Sequence, residues 1–387
     1  MLQQNMEDQL QPHQRRIPLW LALSLTVAMS ALIALAAIEL LARLLLPDPL
    51  APLETGRELM LRTSDDPDIR YELIPGMKGR AWDTDVVINS AGFRGPEAQT
   101  AKGGHFRIIA LGDSIAFGNA LPADAPFSNQ LQRLLTQDYG ERCEVLNFAV
   151  GGYDTLQEAA LLRRRALAFE PDLVVVAYSL NDIGVASVNQ AYLEHLEKYR
   201  HSWFYRLRLV RYLDHWLSTW SVENWESQQN DLAAFERKFR GRIDPIGPEE
   251  RELRALMNSV PERHPSSWYR DAAHVGRLRY AFRWLSDLSK QNRFRVVITI
   301  IPWMVWTPSG YPFEKAHQIV ALEARRFGFD VIDVLSRFRE HAASTLALWG
   351  TDPGHPNELG HRILADALRD YVMPILAGRT ADAAQPK

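Results

Sequence analysis

The hydrophobic and polar positions of this 387-residue chain fall into two regimes. From Ile17 to Ile38 no residue is charged, and apolar side chains occupy every face of a helix. At about 1.5 Å per residue that run spans roughly 33 Å, enough to cross a hydrocarbon core of about 30 Å. Glu39 and Arg43 stand at its far boundary, and Pro47 and Pro49 end it. The pattern predicts one transmembrane signal-anchor helix over 17–46, preceded by a short tail, 1–16, that carries Arg15 and Arg16. The positive-inside rule leaves that tail in the cytoplasm and turns everything after Pro47 outward. Ala34-Leu35-Ala36 also has the small-x-small pattern of a signal-peptide cleavage site, but the apolar run is longer than a usual signal core.

Beyond the anchor the period changes. Residues 47–104 are rich in Pro, Gly and Asp with short extended pieces, and read as a strand-and-turn collar. Five short β-branched runs then follow: "FRIIAL" (106–111), "EVLNFAV" (144–150), "DLVVVAYS" (172–179), "RVVITII" (295–301) and "DVIDV" (330–334). Near-continuous apolar strands are the mark of a parallel sheet covered on both faces. Helical patterns separate them over 126–138, 154–169, 274–291 and 313–327. The expected fold class is α/β: a three-layer α/β/α sandwich with a five-stranded parallel sheet of flavodoxin-like type, over 105–378. A helical, Trp- and Tyr-rich insertion occupies 184–273, and a small polar tail, 379–387, reads as disordered.

Composition narrows the function classes. The formal charge of −3 shows no basic excess, which argues against nucleic acid as a partner. Cys143 is the only cysteine, so neither a disulfide framework within the chain nor a cysteine metal cluster can form. No cofactor motif is present, and "HPNEL" is not the His-Glu-x-x-His zinc pattern. His361 and Asp352 as metal ligands lack a recognised spacing, and no metal is expected; His361 reads instead as packing on the last helix.

In an open parallel sheet, ligands bind outside the carboxyl ends of the strands. The residues there are Gly112-Asp113-Ser114, Gly151-Gly152-Tyr153, Leu180-Asn181-Asp182, Pro302-Trp303 and, before the last helix, "TDPGHPNELGH". Ser114, alone a plausible helix cap, would stand at a helix N-terminus that favours developing negative charge. A serine hydroxyl needs an adjacent base, which His355 can supply while Asp352 orients its other ring nitrogen. Gly152 offers a backbone N–H free of side-chain obstruction, and Asn181 offers a side-chain N–H. Asp113 reads as a turn-stabilising side chain and Asp182 as a cap.

These blocks resemble the SGNH, or GDSL, hydrolase superfamily: "GDSI", "NFAVGGY", "SLND" and "DPGH" match its four blocks in order, over roughly residues 105–375. The resemblance implies an esterase, lipase or carbohydrate acyl-esterase with Ser114, Asp352 and His355 catalytic. It also implies an oxyanion hole of Ser114, Gly152 and Asn181; counting from Asn147 favours Gly152 over Gly151. Ile115 replaces the usual leucine, and Ser179 replaces the glycine before the Leu-Asn-Asp. An O-acyltransferase acting on an envelope or secreted polysaccharide would use the same groups. A non-catalytic envelope binding protein could keep the fold, though the intact triad argues against it.

The expected partners are an acyl ester or acylated glycan, and the lipid bilayer through 17–46. The expected place is the cytoplasmic (inner) membrane, with a single pass and the catalytic domain facing the periplasm or exterior. Trp303, Trp216 and Trp220 are candidates for substrate binding. On a continuous helix Tyr205, Leu209, Tyr212 and Trp216 would share one face, serving either as core or as a roof over the site.

Overall fold

The computed structural model describes residues 18–46, 60–81, 84–140, 142–184, 197, 202–214, 216–217, 242–262, 266–308, 310–350 and 352–383. The expected tail 1–16, the first part of the collar, much of the insertion and Trp220 lie outside the described residues. The chain divides into two compact units. One joins Met1–Ala51 to Tyr199–Thr219, and the other joins Pro52–Lys198 to Trp220–Lys387.

In the first unit α1 runs from Leu19 to Leu45, long and apolar enough to cross a membrane. Two of its hydroxyls bond back within the helix: Ser24 Oγ donates to Trp20 O at 2.8 Å and Thr26 Oγ1 to Ala22 O at 2.9 Å. Such back-bonding gives those two hydroxyls a partner that does not depend on water. The helix ends where Leu46 turns extended.

The second unit opens with two antiparallel hairpins, β1 (Leu61–Thr63) with β2 (Tyr71–Leu73), and β3 (Lys78–Ala81) with β4 (Thr84–Val87). Five parallel strands follow: β5 (Phe106–Gly112), β6 (Cys143–Asn147), β7 (Leu173–Ser179), β8 (Arg295–Ile301) and β9 (Asp330–Asp333), in the order β6-β5-β7-β8-β9. Every residue of β5 and β7 is buried, as near-continuous apolar strands require. Helices α2 (Ser114–Phe117), α3 (Phe127–Tyr139), α4 (Thr155–Arg164), α5 (Arg251–Ser259), α6 (Ala272–Asn292), α7 (Glu314–Arg326) and α8 (Glu358–Ala383) flank the strands, with two four-residue helical turns, Leu335–Phe338 and Ala343–Leu346, between the last two. One layer pairs α3 with α8, and the other packs α4 on α6 and α7 on α5. The three-layer α/β fold read from the sequence is what the chain adopts.

Two expectations need correction. The tail after Arg379 begins as helix, because α8 continues to Ala383 through Ala and Asp residues that a helix tolerates. The aromatic stretch of the insertion is not one helix: a 3-10 turn, Trp203–Arg206, ends at an extended Leu207 before helix resumes at 208–214. Tyr205 therefore precedes a break and does not continue the face of Leu209 and Tyr212. The insertion also splits, with 199–219 belonging to the unit of α1 and 242–273 to the unit of the sheet.

Candidate active site

The strand order places β5 between β6 and β7, so the chain departs in opposite directions on its two sides and leaves a crevice beyond its carboxyl end. Ser114 stands there, one turn from the strand. The corner needs glycine at 112, where φ is +150° and a Cβ would lie 2.5 Å from Ala116 Cβ and 2.9 Å from Ala177 O. Asp113 then caps α2, its Oδ1 accepting the Ile115 N–H at 2.8 Å. From below, the collar reaches the other end of the same helix. Arg94 donates Nη1 to Phe117 O (2.8 Å) and Gly118 O (2.6 Å), and Nη2 to Leu121 O (2.7 Å). Burial lowers the Arg94 pKa to about 10, which still leaves a cation at the helix C-terminus at neutral pH.

Ser114 is 6% exposed, and its Oγ lies 2.8 Å from His355 Nε2. Its other polar neighbour, Asp113 Oδ2, is 3.4 Å away, so the imidazole makes the short contact. On the far side of the ring, Nδ1 meets Asp352 Oδ2 at 2.6 Å. Asp352 Oδ1 accepts the Gly354 N–H at 2.7 Å, which closes the loop on itself. That loop is pinned to its surroundings as well: Met304 N–H donates to Pro353 O (2.7 Å) and Leu348 N–H to His355 O (2.8 Å). The hydroxyl, imidazole and carboxylate, drawn from positions 241 residues apart, thus form one hydrogen-bonded run. Such a run can move a proton off Oγ as it attacks a carbonyl.

The candidate oxyanion donors approach from two other strands. Asn181 follows β7, and its Nδ2 donates to Asp113 Oδ2 at 3.0 Å. Ser179, the departure from the family pattern, donates its hydroxyl to Asn181 Oδ1 at 2.6 Å, which fixes the amide with its NH₂ on the Asp113–Ser114 side. Gly152 has φ +81°, a left-handed geometry that a glycine adopts without strain. The collar also holds this glycine block, through Tyr71 Oη donating to Gly151 O at 3.2 Å and Tyr153 Oη bonding Tyr71 O.

The model of the GDSL-like lipase/acylhydrolase family matches residues 110–363, a span that holds Ser114, Gly152, Asn181, Asp352 and His355. The chain belongs to that family. It is an acylhydrolase of ester bonds, and the resemblance carried by the four sequence blocks is borne out. The fold is also similar to that of a catalytic mutant of an acetylxylan esterase from Geobacillus stearothermophilus, at 15% identity and a TM-score of 0.41 over 69% of this chain and 94% of that one. An alpha/beta hydrolase enzyme from the metagenome of Lake Arreo, Spain, is similar at 15% identity and a TM-score of 0.38, over 68% and 92% of the two chains. No curated protein sequence matches the chain.

Around the acylhydrolase site lie residues that the sequence singled out for other roles, or missed. Trp303 follows β8 and stands against the triad loop, 3.8 Å from where a Gly354 Cβ would be. Trp349 was missed; its ring lies edge-on to His355 at 5.7 Å between centroids and is 39% exposed. Its only sequence signal is an aromatic three residues before Asp352. Trp216 belongs to the unit of α1.

His361 is committed elsewhere. Its Nδ1 accepts the Phe127 N–H at 3.0 Å, satisfying a first-turn donor of α3, and its ring stacks on Phe127. Burial, with the Arg94 and His355 charges adding, pushes its pKa down to about 3. Asp182 Oδ2 accepts the Ser179 N–H at 2.6 Å, tightening its own loop; the segment it was expected to cap, from 185 on, lies outside the described residues. Burial, with the Asp113 charge adding, pushes the Asp182 and Glu158 carboxyls well above the usual range.

Proposed function

We propose that this acylhydrolase is a membrane-anchored, extracytoplasmic serine esterase that acts on an acyl ester or acylated glycan through an acyl-enzyme on Ser114. The observation that carries the reading is the run from Ser114 Oγ through His355 to Asp352, at 2.8 and 2.6 Å. In the first half-reaction His355 Nε2 takes the Ser114 proton as Oγ attacks the carbonyl carbon. Asp352 Oδ2 holds the Nδ1–H and stabilises the imidazolium. The N–H groups of Ser114 and Gly152 and the Asn181 amide receive the oxyanion. Collapse returns the proton from Nε2 to the departing alcohol. Water then enters, loses a proton to the same nitrogen, attacks the acyl carbon, and releases the acid with Ser114 restored.

The anchor reading is supported by α1, whose 27 residues carry no charge before Glu39 and, Ala42 aside, bury no side chain fully. A helix apolar all round is suited to lipid. Arg15 and Arg16, ahead of the apolar run, favour a cytoplasmic N-terminus and an outward hydrolase unit. The half-exposed Trp349 beside His355 offers a flat apolar surface suited to a sugar ring or a short acyl chain.

The test is a panel of p-nitrophenyl esters of rising chain length and of acetylated glycans, run on the full chain with Ser114→Ala as the blank. Release of acid that the variant lacks supports the esterase. Delivery of the acyl group to a glycan hydroxyl in preference to water makes the enzyme a transferase. Turnover retained by Ser114→Ala refutes the acyl-enzyme.

A further inference from the structure

The charged pair at the end of α1 has a structural use that the hydrolytic site does not absorb. Glu39 Oε1 accepts the Arg208 N–H at 2.7 Å, and Oε2 accepts the Leu209 N–H at 3.1 Å. A carboxylate from α1 thus serves the first-turn donors of the helical stretch 208–214. Arg43 ties Glu39 Oε1 at 2.7 Å and reaches Arg206 O at 3.2 Å. Arg208 Nη1 answers by donating to Leu46 O at 3.1 Å, just past the C-terminal end of α1. Upstream, Tyr205 Oη donates to Asp214 Oδ2 at 2.6 Å, which locks the 3-10 turn Trp203–Arg206 onto the same helix. The described residues of the stretch 203–217 therefore form a hook fastened to the end of α1.

The length of α1 sets the depth of that hook. Glu39 lies 20 residues after Leu19, a rise of about 30 Å, which matches the thickness of a hydrocarbon core. When α1 spans a bilayer from Leu19, the fastening point falls at the boundary with the headgroups. The side chains exposed there are those of an interface and not of a water-facing loop. Trp203 is 75% exposed and Trp216 65%, and Phe204, Leu213 and Leu217 are exposed too. Three arginines, 206, 208 and 211, interleave with them. Tryptophan enriches at the membrane interface, and basic groups there are attracted to phosphate headgroups.

We propose that residues 203–217 are a second membrane contact, a hook lying in the headgroup layer on the side where α1 ends, with phospholipid as its partner. The proposal rests on the anchor reading above and adds a surface to it. The lipid assignment follows from continuity: the hook is bonded to the end of a helix whose own surface is apolar and exposed.

Site-directed spin labelling of the full chain in phosphatidylethanolamine–phosphatidylglycerol vesicles tests it. In a Cys143→Ser background, single labels replace Trp203 (Trp203→Cys), Trp216 (Trp216→Cys), Leu32 in mid-α1 (Leu32→Cys) and Asp287 on the exposed face of α6 (Asp287→Cys). Relative accessibility to oxygen and to a water-soluble nickel complex reports depth. The expected result puts the Leu32 label in the hydrocarbon, the labels at 203 and 216 about 5–10 Å into the headgroup–acyl boundary, and the Asp287 label in water. If Leu32 is deep while 203 and 216 are as open to nickel as Asp287, the hook proposal is overturned and the anchor stands. A Leu32 label in water overturns both. Dipolar broadening between labels at 203 also overturns the lipid assignment, because it shows two copies pairing through this face.

Discussion

Acidification should weaken the α3–α8 layer through His361, by an amount that follows from its pKa. In the folded chain the imidazole is buried, accepts the Phe127 N–H at Nδ1, and holds its pKa near 3 against an ordinary 6.5. Protonation would turn that acceptor into a donor facing an N–H and place a cation at a helix N-terminus, with Arg94 adding repulsion. The folded-state pKa lies below the unfolded one, so the unfolded chain takes up the proton first. The stability from a neutral His361 is complete above pH 6.5 and is lost as pH falls toward 3. Linkage puts the loss at about 2 kcal/mol between pH 7 and pH 5, and at about 5 kcal/mol over the whole window. His361→Asn keeps an acceptor near the Nδ1 position and removes the titration. Urea unfolding of both full chains in mild detergent, at pH 7 and pH 5, reads the effect, because titrating groups that do not interact with His361 cancel in the difference. The advantage of wild type over the variant should shrink by about 2 kcal/mol on going to pH 5. A difference that stays constant, or grows, refutes the reasoning.

Arg94→Met should cost about 3 kcal/mol in unfolding free energy, since it strands the Phe117 and Leu121 carbonyls and leaves Gly118 O with the Leu121 N–H alone, and Arg94→Lys should recover only part of it. Ser179→Ala should lower kcat about tenfold with KM little changed, because it frees the Asn181 amide, whereas Asn181→Ala should cost about 10² to 10³; steady-state kinetics on one ester separates the two. His355→Ala should reduce kcat by about 10⁶ and Asp352→Asn by about 10⁴, because the carboxylate orients and stabilises the ring and does not carry the proton; equal losses would contradict that division.

The strands were legible wherever β-branched residues run without interruption, and β8 begins and ends where its pattern does. At β6 the apolar pattern overran the strand by three residues. Asn147 turns the chain there: its Oδ1 accepts the Ala149 N–H, and its Nδ2 reaches Ala116 O and Ser128 Oγ. The overrun is partial, since the Phe148 and Val150 N–H groups still bond Ala110 O and Gly112 O. The run of Ser114, His355 and Asp352 was legible because each residue has a chemistry of its own, with Ser114 just past a strand end and the Asp-x-x-His pair in the loop before the last helix. Arg94 was not, because its partners are backbone carbonyls, which leave no trace in side-chain pattern. The break at Leu207 was hidden for a related reason. The cap that starts the next helix is Glu39, 169 residues away, and no local periodicity reports so distant a partner.

The central claim is that Ser114 is the nucleophile and that His355 activates it. The most direct measurement is reaction of the full chain with a fluorophosphonate, followed by peptide mass analysis. A single covalent adduct is expected on the peptide containing Ser114, formed in wild type, slowed in His355→Ala and absent in Ser114→Ala. An adduct that persists in Ser114→Ala, or ester turnover that continues in an enzyme fully labelled at another residue, would contradict it.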